Sequence, residues 1–116
     1  NPREAVKAIH KTIETIESGH SMLIFPEGKR VFGNTPEEFK NGAFKIVQKT
    51  NVTVVPIYTR NIFKVLEGSN GIVTPTDIKI TILDPIETSN MSRADVKELH
   101  DRVYNVIMEE SKKYND

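Results

Sequence analysis

A short apolar burst, Ser21-Met22-Leu23-Ile24-Phe25, runs directly into Pro26-Glu27-Gly28 and then turns basic at Lys29-Arg30. The burst reads as a buried strand, and the residues after it fix where that strand stops. Proline cannot donate to a sheet ladder, and glycine reaches backbone conformations closed to other residues. Glu27 and Arg30 therefore flank a turn at the carboxyl end of a strand, the place where open α/β sheets collect their ligands. Arg30 carries a planar fork of donors matched to a phosphate or carboxylate, and Lys29 adds a less directional charge. Taken alone, such a run more often marks a charged surface turn than a site.

The remaining periodicities surround that turn with alternating elements. Asn1-Pro2 suits a helix start, and Val6, Ile9, Ile13 and Ile16 give one apolar face that Gly19 closes as a left-handed cap. Residues 26–38 form a loop long enough to suggest function rather than plain connection. Asn41 to Thr50 predicts a helix with Phe44 and Val47 inward, and Thr53 to Tyr58 predicts a second buried strand. That order is a βαβ-type unit, expected to be parallel and right-handed. Ile62-Phe63-Lys64-Val65-Leu66 fits a short strand and Glu67-Gly68-Ser69-Asn70-Gly71 a turn. Ile78, Ile80 and Ile82 alternate with Lys79 and Thr81, a half-buried strand ended by Asp84-Pro85. Ser92 with Asp95 resembles a capping box before a helix whose inner face is Val96, Leu99, Val103, Val106 and Ile107; residues 109–116 form a polar end prone to fraying. The expected fold is α/β, with a mixed, mainly parallel sheet flanked by helices. Residues 1–116 form a single domain or the C-terminal portion of one.

Composition narrows the function classes. Lys plus Arg equals Asp plus Glu at 16 each, so overall charge argues for no nucleic-acid partner, and any anion site must come from local clustering. There is no cysteine, hence no disulfide framework and no thiolate chemistry. No apolar stretch approaches the roughly 20 residues needed to cross a bilayer, so the chain itself is expected to be soluble. Neither a His-Glu-x-x-His pattern nor a Cys/His cluster occurs, so no metal and no cofactor are expected. Serine-hydrolase elbows and P-loops are absent as well.

The cations near the turn are Lys29, Arg30, Lys40 and Lys45. If the loop folds back on the helix start at Asn41, Lys40 comes near Arg30, and the first N–H groups of that helix point at the same place. Lys45 is better read as a solvated surface charge. Glu27 either orients Arg30 or accepts a hydrogen bond from a substrate hydroxyl. His10 and His100 lie on or beside the polar faces of amphipathic helices and His20 lies in a turn, which suits structural or solvated roles.

Phe25-Pro26-Glu27-Gly28-Lys29-Arg30 resembles the Phe-Pro-Glu-Gly-Thr-Arg block of the glycerolipid acyltransferases, the family of 1-acyl-sn-glycerol-3-phosphate acyltransferase. Phe39-Lys40-Asn41-Gly42-Ala43-Phe44 resembles the family's next stretch, Phe-Lys-x-Gly-Ala-Phe, and Val54-Val55-Pro56-Ile57 its Val-Pro-Ile block. The resemblance covers Ala5 to Tyr58, with Lys29 in place of the usual Thr and Val31 in place of a frequent Ser. The family's His-x-x-x-x-Asp base is missing: five residues after His10, His20 and His100 stand Thr15, Phe25 and Asn105. Asn1 to Ala5 resembles the segment that follows the family's second block, so the chain corresponds to the C-terminal part of an acyltransferase domain whose N-terminal part is missing.

The resemblance implies transfer of an acyl group from acyl-CoA or acyl carrier protein to the hydroxyl of a lysophosphatidate-like acceptor in phospholipid biosynthesis. It implies Glu27, Gly28, Arg30 and Lys40 as substrate-binding residues and no catalytic residue in this chain, which alone is expected to be inactive. The parent enzyme is expected at a membrane surface, on the cytoplasmic face. An uncovered sheet is expected to make the isolated chain self-associate. The competing class is a non-catalytic anion-binding or protein-interaction α/β module.

Overall fold

The computed structural model describes residues 2–29, 31–65 and 75–114. Arg30, the turn expected at Glu67 to Gly71 and the last two residues of the polar tail lie outside the described residues. Helix α1 spans Pro2–Glu17, α2 Gly42–Thr50 and α3 Asp95–Ser111; strands β1 and β2 span Ile57–Arg60 and Lys79–Ile82, and Ile62–Val65 is a 3-10 turn rather than a strand.

Local chemistry explains the helix ends. Gly19 has φ +99°; its N–H reaches the Ile16 carbonyl at 3.0 Å and the His20 N–H reaches Thr15 at 3.3 Å, so two otherwise orphaned carbonyls of α1 are satisfied. Before α3, the Asp95 carboxylate accepts from the Ser92 N–H (2.9 Å) and the Ser92 hydroxyl (3.0 Å), half of the expected capping box; α3 itself opens at Asp95, where Ala94 provides no side-chain cap.

The core is built on the stripe of α3 and the end of the long loop. Phe39, Phe44, Ile86, Leu99 and Val103 are buried together, with Val47, Val54, Val96 and Ile107 packed around them. Phe39 stacks on Phe44 with ring centroids 6.2 Å apart and meets the Tyr104 edge at 5.1 Å. Helix α1 lies on α2 and buries none of its residues fully; Val6, on its apolar face, remains exposed.

One expectation about strands, the mainly parallel sheet, finds no counterpart among the described residues, and two others are corrected. First, β1 and β2 pair antiparallel, with Ile57 opposite Ile82 and Arg60 opposite Lys79. Parallel pairing needs a neighbouring strand on the same crossover, and among the described residues β1 finds only β2, whose chain direction is reversed. The ladder resumes at the Val54–Ile86 bridge after two residues on one side and three on the other. The extra residue falls at Leu83-Asp84-Pro85, where proline cannot donate, so the strand bulges. Pro56 and this bulge restrict β1 to Ile57–Arg60, later than the expected Thr53 to Tyr58.

Second, residues 20–25 have no regular structure and belong to no sheet, and Leu23 and Phe25 are 70% and 67% exposed rather than buried. A strand persists only where its N–H and C=O groups have a ladder to join, and none of the described strands lies alongside. Third, the apolar face of β2 points outward: Ile80 and Ile82 are exposed, and α3 covers the opposite face, where Tyr58 is buried. Alternation identified the two faces of β2, and the covering helix decided which one is inside.

Candidate functional site

The turn after residue 25 is built from backbone constraints. Gly28 sits at φ +69°, a left-handed conformation that costs a residue with a Cβ. Its N–H closes on the Phe25 carbonyl at 3.0 Å. A Cβ built on Gly28 would lie 2.9 Å from Lys40 Cδ and 3.1 Å from Cε, so the Lys40 stem runs directly across the turn. The Lys40 N–H donates to the Pro26 carbonyl at 2.8 Å, closing the loop at its base.

Further bonds hold the loop's return limb. The Glu27 carboxylate accepts from the Glu37 N–H at 3.4 Å, and Lys29 Nζ pairs with Glu37 at 3.1 Å. The latter pair is exposed and contributes little. Tyr104 donates to the Pro36 carbonyl at 3.4 Å, and His100 Nε2 lies 3.0 Å from the Phe39 carbonyl. His100 Nδ1 is 3.0 Å from Asp101, so this imidazole ties α3 to the loop exit and carries a structural role. Phe39 and Phe44, bracketing the Phe-Lys-x-Gly-Ala-Phe stretch, anchor the whole arrangement in the core.

Of the residues singled out from sequence, Glu27, Gly28 and Lys40 come together at one turn. Arg30 lies outside the described residues. Lys40 makes no ion pair among the described residues, and its stem keeps it beside the turn. Helix α2 begins two residues later; Asn41 provides no side-chain cap for its first N–H groups, leaving them suited to an anion. Lys45 is exposed on α2. The arrangement is an open cationic turn rather than a closed pocket: a depression of about 400 Å³ lies beyond it, against Phe39, His100 and Tyr104. Among the described residues no group of three His, Cys, Asp or Glu could hold a metal, and no helix is long and apolar enough to cross a membrane.

Sequence reasoning missed a second set of residues on this loop. Asn34, near the loop tip, is held by Asn61 and Tyr58 at the end of β1. Separation by 27 residues hides an amide pair from any periodicity; the only local hint is that both are turn-forming asparagines.

Residues 1–60 match the family profile described as Acyltransferase. The chain is 38% identical over 87 residues to the 1-acyl-sn-glycerol-3-phosphate acyltransferase BAT2, chloroplastic, of Brassica napus, covering 74% of this chain and 25% of that protein. It is 36% identical over 97 residues to the LPAT1 chloroplastic enzyme of that name from Arabidopsis thaliana, covering 83% and 26%. In fold it is similar to the crystal structure of the 1-acyl-sn-glycerophosphate acyltransferase PlsC from Thermotoga maritima, with a TM-score of 0.83 and 24% identity over 97% of this chain and 48% of that one. The chain thus spans about a quarter of the length of these curated relatives and about half of the solved chain. With the profile matched across more than half of its residues, and with the motif turn built as described, this chain belongs to the acyltransferase family.

Proposed function

We propose that this chain is the acceptor-phosphate-binding part of a 1-acyl-sn-glycerol-3-phosphate acyltransferase. One observation supports the reading above others: Gly28, Glu27 and Lys40 share a single turn, with the Lys40 stem packed across the glycine. Arg30 stands two residues from Gly28 in sequence and supplies the bidentate fork, and Lys40 adds a second charge to the same phosphate. Glu27, already turned toward the return limb of the loop, orients the cation or the glycerol hydroxyl. In the reaction the acceptor hydroxyl attacks the thioester carbonyl of acyl-CoA or acyl carrier protein. A C–O bond forms, the C–S bond breaks, the hydroxyl proton passes to a base, and the thiol leaves. No histidine of this chain has an aspartate five residues on, so that base belongs elsewhere in the protein.

The exposed face of Ile80 and Ile82 and the exposed segment holding Leu23 and Phe25 fit the same reading. In the complete domain, residues 21–25 join the sheet as a parallel strand and the remainder of the domain covers this face. The enzyme works at a membrane surface, on the cytoplasmic side. Thiol release from acyl-CoA in the presence of lysophosphatidate tests the proposal: the full-length protein is expected to turn over and this chain alone is not. Turnover by repurified chain well above the buffer blank would sink the division of labour, and an inactive full-length protein would sink the reading itself.

A further inference from the structure

The loop that carries the cationic turn is tied at its base and again at its tip. At the tip, Asn34 Nδ2 donates to Asn61 Oδ1 at 2.9 Å while the Asn61 backbone N–H donates to Asn34 Oδ1 at 2.7 Å. One side-chain amide thus engages both the side chain and the main chain of Asn61. The Tyr58 hydroxyl donates to the Asn34 carbonyl at 2.9 Å, and Arg60 Nη1 donates to the Tyr58 hydroxyl at 3.3 Å.

The anchor is itself well fixed. Tyr58 is buried and its ring stacks on Tyr114 at 6.0 Å, with the Arg60 guanidinium 4.5 Å above the Tyr114 ring. Asn61 stands at φ +66°, a conformation asparagine tolerates better than most residues, and its Nδ2 reaches the Asp77 carbonyl at 3.3 Å. Bonds of this number and reach exceed what a solvent-exposed connecting loop needs, since loops of that kind ordinarily satisfy their polar groups with water.

We propose that Asn34 and Asn61 are positioning residues for the acceptor. Their amide pair, with the Tyr58 hydroxyl, locks the tip of the 26–40 loop to the end of β1 and so fixes how the loop presents its charge to a phosphate. The proposal rests on the acceptor-phosphate reading of the loop. A loop ordered at folding spares the acceptor the entropy of ordering it at binding, so the effect belongs to acceptor affinity. The acyl donor and the chemical step are untouched.

Steady-state kinetics of the full-length enzyme with lysophosphatidate and acyl-CoA test this. Asn34→Ala and Asn61→Gly, the latter keeping the left-handed backbone accessible, are each expected to raise the acceptor KM about tenfold, with kcat and the donor KM within about twofold. Tyr58→Phe, which removes one bond to the loop along with the Arg60 bond to the same hydroxyl, is expected to raise the acceptor KM about threefold. Because the two amides act as one unit, the double variant is expected to be no worse than either single. Asn61→Asp, which keeps the acceptor facing Asn34 but sets a carboxylate oxygen against the Asp77 carbonyl, is expected to restore part of the affinity lost in Asn61→Gly.

An unchanged acceptor KM in both amide variants overturns the proposal, as does a fall in kcat with KM constant or full additivity in the double variant. Arg30→Ala in the same assay separates this from the underlying reading. If it raises the acceptor KM while the amide variants do not, the clasp fails and the phosphate assignment stands. If the amide variants raise it while Arg30→Ala does not, the clasp stands and the phosphate assignment fails.

Discussion

Replacing Gly28 by alanine probes the turn through two separable effects. The first is backbone: at φ +69° an alanine incurs about 1–2 kcal/mol of steric cost, offset by about 0.4–1 kcal/mol from the stiffer unfolded chain. The second is contact: the new Cβ would sit 2.9 Å from Lys40 Cδ, so the lysine stem must swing away from the turn. A flexible stem yields for a few tenths of a kcal/mol to about 1 kcal/mol, the scale of an off-rotamer adjustment. Together these predict a net loss of about 1–2 kcal/mol, or a fall in Tm of about 4–8 °C for a domain near this size.

Urea and thermal unfolding measure that loss, and two other glycines calibrate it. Gly19 has φ +99° with nothing within 4 Å of a built Cβ, so Gly19→Ala reports backbone strain alone. Gly33 has neither a left-handed φ nor a neighbour within 4 Å, so Gly33→Ala is expected to be neutral or slightly stabilising. Combining Gly28→Ala with Lys40→Ala should recover the contact share and leave the backbone share. If Gly28→Ala costs no more than Gly33→Ala, the turn geometry and the Lys40 packing argued from it are wrong.

Other outcomes follow from the same structure. The Ser92 backbone and then side-chain hydrogen bonds hold the Asp95 carboxyl below its ordinary value of 3.8, so this cap stabilises the fold above that pH and its contribution is lost as pH falls through the lowered value; acid titration of stability should lose this component in Asp95→Asn, and an unaltered profile would count against the cap. Lys29→Thr breaks only an exposed pair with Glu37 and should change acceptor use by less than about 1 kcal/mol, read as kcat/KM of the full-length enzyme. With Leu23, Phe25, Ile80 and Ile82 exposed, the isolated chain should associate in sedimentation equilibrium as concentration rises, and a monodisperse monomer at high concentration would show that this face is tolerated open.

How much of this was legible in the sequence follows from the range of each interaction. The α1 terminus at Gly19, the Ser92–Asp95 cap and the Leu99/Val103 stripe of α3 depend on residues within about a helical turn of one another, and each stands where periodicity puts it. Glu27, Gly28 and Lys40 share one turn because Pro26 and Gly28 fix it, and Phe39 and Phe44 draw Lys40 back over it, whereas the expected approach of Lys40 to Arg30 lies outside the described residues. Pairing between strands is not local. The alternation of Ile78, Ile80 and Ile82 is the same whichever partner β2 finds and whichever face a helix covers, so neither the antiparallel register nor the outward apolar face could be read from it. Residues 21–25 have the composition of a buried strand, yet composition cannot supply the neighbour a strand requires. The Asn34–Asn61 pair was hidden for the same reason: two polar turn residues become a clasp only after β1 is placed.

A loop between Pro26 and Lys40 that holds the acceptor's phosphate must make the enzyme discriminate between substrates with and without that phosphate. kcat/KM of the full-length enzyme is compared for lysophosphatidate and for monoacylglycerol, which lacks the phosphate, in the natural protein and in Arg30→Ala. A strong preference for lysophosphatidate is expected, which Arg30→Ala reduces by about 2–4 kcal/mol in transition-state terms and Arg30→Lys restores only in part. A preference left intact in Arg30→Ala would contradict the claim and place the phosphate elsewhere.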